Sequence, residues 1–113
     1  MEFIALPSFA REFKRLCRKY QSLELNIEEL KRAIAQYPRG RGGKHWNLLH
    51  ESDTVAIFKT RFVCDSLKGS SLRLVYAYLP TENRIDFIEI YFKGDKENED
   101  RERIKGYLDE LEK

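Results

Sequence analysis

The chain has 113 residues, 42% of them apolar and 35% charged, with a net charge of only +2. That length suits one domain with one core; it leaves no room for two ordinary cores, and the apolar runs argue against disorder. No stretch approaches the roughly 20 apolar residues that span a bilayer. The start, Met1-Glu2-Phe3-Ile4-Ala5-Leu6-Pro7, lacks the regions of a signal peptide, so a cytoplasmic protein with no membrane partner is expected.

Residues 2–6 form a short apolar run closed by Pro7. A strand is expected there, because proline cannot donate to a ladder. Ser8 stands where a helix N-cap would. Phe9, Phe13, Leu16 and Tyr20 then recur at helical spacing, with Arg11, Lys14, Arg15, Arg18 and Lys19 mostly on the other side. The pattern predicts an amphipathic helix with a basic outer face. Asn26-Ile27-Glu28-Glu29 has the form of a capping box. Ile27, Leu30, Ala33 and Ile34 supply the stripe of a second helix that ends before Pro38. The short connector predicts an antiparallel helix pair.

Residues 38–52 contain three glycines and the cations Arg39, Arg41 and Lys44, and are expected to be the main loop. After that the period changes from 3.6 to 2. Thr54–Val63, Ser71–Leu79 and Arg84–Lys93 are expected to be three strands of a meander. A tight Pro80-Thr81-Glu82-Asn83 connection joins the last two. Beyond Gly94 the chain turns polar, and Ile104, Tyr107, Leu108 and Leu111 mark a narrow-striped terminal helix with Gly106 inside it. The order β-α-α-β-β-β-α is an α+β arrangement in one domain, 1–113, with the helix pair on one face of an antiparallel sheet.

The strand alternation places Phe58, Phe62, Leu72, Leu74 and Tyr76 toward the helices and Lys59, Arg61 and Arg73 away from them. If Ile88, Ile90 and Phe92 also face the helices, Tyr91 and Lys93 join the cations. Like charges on neighbouring strands repel, and a bound phosphate or an acidic partner would relieve them. A solvated surface fits the same pattern. Basic residues outnumber acidic ones 16 to 11 over residues 1–93, whereas residues 94–113 have 5 against 8. The body therefore permits a polyanion partner without demanding one. Cys17 and Cys64 are expected to be free thiols. His45 and His50 flank Trp46 without metal-ligand spacing and are expected at the surface, with Trp46 a lid over the core or a stacking platform. Gly40-Arg41-Gly42-Gly43 lacks the strand and helix that flank a phosphate-binding loop.

In order and spacing, Phe3-Ile4, Ser8-Phe9, Phe13-Lys14-Arg15-Leu16-Cys17-Arg18-Lys19-Tyr20, Phe58-Lys59-Thr60-Arg61, Leu72-Arg73-Leu74-Val75-Tyr76 and Ile88-Glu89-Ile90-Tyr91-Phe92-Lys93 resemble the RelE/ParE superfamily of toxin–antitoxin toxins, closest to its RelE-type mRNA interferases. The resemblance covers nearly the whole chain. It implies a βααβββα fold and an endoribonuclease without metal or other cofactor. Such a toxin cuts mRNA on the ribosome, inhibits translation, and is held by a small, partly disordered antitoxin. The free toxin is expected to be a monomer. By position the family's strand cations fall on Lys59, Arg61, Arg73 and Lys93. Arg73 is assigned to the phosphorane, Lys59 to the base, Arg61 and Lys93 to phosphate positioning, and Tyr91 to the acid, with Glu89 an alternative base. Arg11, Lys14, Arg15, Arg18 and Lys19, with Arg39, Arg41 and Lys44, are expected to contact RNA. The chain departs from the family in having Gly69-Ser70-Ser71-Leu72 before Arg73, and neither Tyr nor His in Gly94-Asp95-Lys96-Glu97-Asn98-Glu99. Two other classes stay open: a ParE-like inhibitor of a protein target, and an inactive binding module of the same fold.

Overall fold

A computed structural model describes residues 1–40, 45–67 and 72–112. The expected turn at 65–70, the 69–71 stretch, and loop residues Arg41 and Lys44 therefore lie partly or wholly outside the described residues. The elements are β1 (Glu2–Ala5), α1 (Pro7–Lys19), α2 (Leu23–Gln36), β2 (Trp46–Glu51), β3 (Ala56–Phe62), β4 (Leu72–Leu79), β5 (Arg84–Phe92) and α3 (Arg101–Leu111). The sheet order is β1-β5-β4-β3-β2, with β1 parallel to β5 and the other pairs antiparallel. The α+β class, the helix pair on one sheet face and the C-terminal helix are as the sequence predicts.

Among the described residues, no helix is long and apolar enough to cross a membrane. The α1–α2 face of the sheet holds the larger core. Phe9, Leu16, Leu23, Ile27 and Ile34 from the helices meet Phe58, Phe62, Leu72, Leu74, Tyr76, Phe87 and Ile90 from the strands. Trp46 is the lid: its Nε1 donates to Tyr76 Oη at 2.8 Å, and Tyr76 Oη donates to Pro38 O at 2.7 Å. The indole lies so close over Gly40 that a Cβ there would meet it at 2.3 Å, which explains the glycine at that position.

Four local expectations are corrected. Residues 46–51 form an edge strand, not loop; a bulge between Leu48 and His50 breaks the alternation that would have marked it. Helix α1 starts at Pro7, with Leu6 at the N-cap; proline's fixed φ suits the first helical position better than Ser8 suits the cap. Helix α2 starts at Leu23, three residues before the capping-box pattern. Asn26 is buried inside it and works across the fold: its Oδ1 accepts from Asp65 N at 3.0 Å and its Nδ2 donates to Asp65 Oδ2 at 3.0 Å. Last, Ile88 does not join Ile90. The ladder slips between Val75 and Tyr76, and the bulge turns Ile88 to the opposite face.

That opposite face is not open along its length. α3 lays Ile104, with Tyr107, Leu108 and Leu111 beside it, over Val55, Ile57, Val75, Ala77, Leu79 and Ile88. Tyr107 Oη donates to Asp86 Oδ2 at 2.6 Å, and Arg84 Nε donates to Asp86 Oδ1 at 3.0 Å. Past the end of β1 the edge of β5 would be bare. Glu12 from α1 and Arg103 from α3 cover it. Glu12 Oε1 accepts from Ile90 N at 3.3 Å, and Arg103 Nη1 donates to Ile88 O at 2.9 Å. The two side chains also pair with each other at 2.8–2.9 Å. The ion pair thus does the hydrogen bonding of a missing strand.

Arg103→Met keeps the aliphatic stem and removes this bridge. It is expected to lower stability by about 1.5–3 kcal/mol in denaturant titration. A loss below 0.5 kcal/mol would show that the edge needs no such cover. Gly106 sits on the exposed side of α3, and nothing lies within 4 Å of a Cβ built there. Gly106→Ala should therefore raise stability by about 0.5–1 kcal/mol, measurable as a higher Tm.

Candidate functional site

On the α3 side, three ladder rows run from apolar to cationic. Ile57 opposite Ala77 lies under α3. The next row is Asn47, Lys59, Val75 and Glu89; the one beyond is Arg61, Arg73 and Tyr91, extended by His45, whose carbonyl accepts from Arg61 N at 3.1 Å. Arg61 and Arg73 are direct cross-strand partners. α3 stops short of these rows. The opening is a polar concavity of about 360 Å³ lined by His45, Asn47, Lys59, Thr60, Arg61, Arg73 and Lys93.

The structure thus gathers Lys59, Arg61, Arg73 and Lys93 around one hollow. Lys93 reaches it from the turn after β5. His45 and Asn47 join them; sequence reasoning missed both because β2 was taken as loop. A strand pairing with β3 would have placed them beside Lys59 and Arg61. Arg61 Nη1 lies 3.2 Å from His45 Nδ1, and Arg73 Nη1 donates to Leu72 O at 3.0 Å.

Lys59 Nζ donates to Glu99 Oε1 at 2.7 Å, and Arg101 Nη2 lies 3.3 Å from Glu99 Oε2. The Glu99 carboxylate is only 3% exposed. Burial pushes its pKa up, but the Lys59 hydrogen bond, a backbone hydrogen bond and the charges of Lys59 and Arg101 outweigh that, and it lies below its ordinary 4.5. Next to it, Glu89 is fully buried and bonded to Lys96 Nζ and to Asp100 N, the latter at 2.8 Å. Neither oxygen can reach a substrate, so Glu89 is not the alternative base.

Tyr91 is on the expected face, but its hydroxyl is buried. Lys96 covers its ring at 5.1 Å. Burial, with Glu99 and Glu89 adding and Arg73 opposing, pushes its pKa up to about 12. A phenol sealed in this way cannot protonate a leaving group in the hollow, which removes the role the sequence suggested. Among the described residues, two buried side-chain polar atoms have no hydrogen-bond partner: Tyr91 Oη and Arg61 Nε. Both lie in the same ladder row. Buried polar atoms are nearly always satisfied, so two exceptions in one row set it apart from the rest of the sheet.

The helix cations lie elsewhere. Arg11, Lys14, Arg15, Arg18 and Lys19 are exposed on α1, in the layer across the sheet from the hollow. A cleft of about 530 Å³ at the β5 edge brings Arg15, Arg18 and Lys19 to Tyr91, Phe92 and Lys96. Cleft and hollow meet at the end of β5, where Phe92 and Lys96 line the one and Lys93 the other. Arg39 pairs with Glu51 at 3.0 Å and stacks over Tyr78, outside the hollow. Arg41 and Lys44 lie outside the described residues.

No family model matches the chain, and no curated protein matches it in sequence. In structure it is similar to a chain of the archaeal RelE–RelB complex from Pyrococcus horikoshii OT3. The TM-score is 0.63, the identity 11%, and the alignment covers 82% of this chain and 94% of that one. The likeness bears out the RelE/ParE-like topology predicted from sequence.

Glu99 contributes stability that is present above its unfolded pKa, near 4.5, and is lost as pH falls through its lower folded value. Glu99→Gln should therefore cost about 1.5–3 kcal/mol at neutral pH, with the gap to wild type narrowing below about pH 4.5. Urea titrations at pH 7 and pH 3.5 read this out; an equal gap at both pH values would show that the Lys59 pair adds nothing.

Proposed function

We propose that the chain is the toxin of a type II toxin–antitoxin system, and that its hollow of cations binds RNA and cleaves it by 2′-OH attack on the adjacent phosphate. One observation carries the reading: Lys59, Arg61, Arg73 and Lys93 converge on one polar hollow, with Arg61 directly opposite Arg73. The likeness to a chain of a RelE–RelB complex agrees with it.

Cleavage of this kind requires fixed positive charge at the phosphorane, a proton acceptor for the 2′-OH and a donor for the 5′-oxygen. Two opposed guanidiniums suit the first need, because each can hold two phosphoryl oxygens. Arg73 stabilises the phosphorane, Arg61 shares the same phosphate, and Lys93 holds a neighbouring one. The Lys59 ammonium is engaged by Glu99; in this reading Lys59 adds charge and does not serve as the base. The exposed α1 cations Arg11, Lys14, Arg15, Arg18 and Lys19 extend the contact toward ribosomal RNA. Binding then weakens steeply with salt. The physiological substrate is mRNA on the ribosome. A small, partly disordered antitoxin neutralises the protein in the cytoplasm, and the free toxin is a monomer.

Inducing the protein in a bacterial cell and mapping mRNA 5′ ends tests the reading. Translation arrest with new 5′ ends inside coding sequence is expected, and Arg73→Ala should reduce cleavage about 10²–10³-fold. On isolated ribosomes, 2′-deoxy substitution at the scissile step should abolish cleavage. Arrest with intact mRNA and a DNA-damage response would favour the ParE-like alternative. Harmless expression would favour the inactive module.

A further inference from the structure

Among the described residues, the hollow is lined by one imidazole, that of His45, and nothing in the family resemblance assigned it a role. We infer that His45 is the general base of the site: it takes the 2′-OH proton while Arg61 and Arg73 hold the scissile phosphate. The inference rests on the ribonuclease reading and names the group that reading lacks.

Three observations place it there. His45 lines the hollow together with Lys59, Arg61, Arg73 and Lys93. Its position extends the ladder row of Arg61, Arg73 and Tyr91, which contains the two unsatisfied buried atoms. Arg61 Nη1 lies 3.2 Å from His45 Nδ1. Guanidinium nitrogens only donate, so Nδ1 is the acceptor and carries the lone pair. Nδ1, the acceptor in this contact, is turned toward the phosphate-binding guanidinium. The other candidates are engaged or sealed: Lys59 and Glu99 are bonded to each other, and Glu89 and Tyr91 Oη are buried.

Among the described residues lining the hollow, the charged groups are all cationic. Arg61 and Lys59 come from β3, Arg73 from β4 and Lys93 from the turn after β5; Asn47 beside them on β2 is neutral, and Glu99 is reached only through Lys59. When a phosphodiester enters, its oxygens compete for Arg61 and release the Nδ1 lone pair. Nδ1 takes the 2′-OH proton as the 2′-oxygen bonds to phosphorus. The bond from phosphorus to the 5′-oxygen breaks; the 5′-oxygen leaves with the electron pair and takes a proton from water. The products are a 2′,3′-cyclic phosphate and a 5′-hydroxyl. A general base acts only in its unprotonated form, so the rate should fall on the acid side.

The test is the pH profile of cleavage, from pH 5 to 8.5, for the full chain on mRNA-programmed ribosomes and on free RNA. Wild type should show an acid limb. His45→Gln and His45→Asn should lose that limb and about 10²-fold or more in rate. Their affinity for a 2′-O-methyl RNA, which binds but cannot react, should stay within threefold of wild type. Cleavage by His45→Ala should recover in part with added imidazole. Wild-type rate and profile in folded His45→Gln and His45→Asn would overturn the inference and leave the ribonuclease reading standing. A matching loss of rate and of 2′-O-methyl RNA affinity, without rescue, would make His45 a structural residue. A wild-type protein that cleaves neither substrate would overturn the reading and the inference together.

Discussion

The arrangement of the α3 face depends on Glu89. β5 places this carboxylate, fully buried, on a sheet face that is apolar on one side of it and cationic on the other. A buried carboxylate without partners costs several kcal/mol, and the sheet offers none. The partners come from the segment after β5: Lys96 Nζ reaches back to one oxygen, and the Asp100 amide donates to the other. Asp100 is also the N-cap of α3, accepting from Arg103 N at 3.0 Å. Satisfying one buried charge therefore fixes where the terminal helix begins. From that start the helix lies over Ile57, Val75, Ala77 and Ile88, and the row containing Arg61 and Arg73 stays uncovered.

The same tail divides the chemistry of the face. Glu99 takes one oxygen to Lys59, at the border of the hollow, and Arg103 returns across the β5 edge to Glu12 on α1. The segment from 95 to 103 thus connects both layers to the sheet through charge-assisted hydrogen bonds, which are stronger than neutral ones. Two of its acidic groups, Glu99 and Asp100, are used inside the fold. Of the cations lining the hollow, Lys59 is held by this segment through Glu99. The acidic excess of the C-terminal residues and the basic excess of the body, seen as bulk numbers in the sequence, are in part the two sides of these pairs.

How much of this was legible follows from which signals are local. The period-2 pattern of residues 54–93 placed Lys59, Arg61, Arg73 and Tyr91 on one face, because side-chain alternation is a property of the strand itself. The bulge that moves Ile88 to the α3 face was not legible: β5 is apolar on both sides, so a one-residue slip leaves no mark in composition. β2 was lost for the related reason that its own bulge breaks the alternation, and His45 and Asn47 were lost with it. Asn26-Ile27-Glu28-Glu29 satisfied a local rule and misled, since the Asn26 side chain is used by Asp65, 39 residues away. The tail read only as a polar stretch and a narrow-striped helix because the demand it answers, Glu89, sits on another element. Pairings across the fold are what a one-dimensional pattern omits.

The cation row is the part of the molecule that stability does not explain. Arg61 opposite Arg73 opposes sheet formation, by about 0.2–1 kcal/mol for such a pair. Arg61 Nε and Tyr91 Oη are buried without partners, and an unsatisfied buried group costs about 1–3 kcal/mol. Elsewhere the chain goes to some length to avoid such costs, covering even two backbone groups at the β5 edge with Glu12 and Arg103. Departures of this kind are expected at functional sites. An oxyanion between the two guanidiniums would remove the repulsion and supply acceptors to donors already in place. An anion site, as proposed above, would account for the repulsion and the unpartnered atoms together, and His45 lies beside one of those guanidiniums.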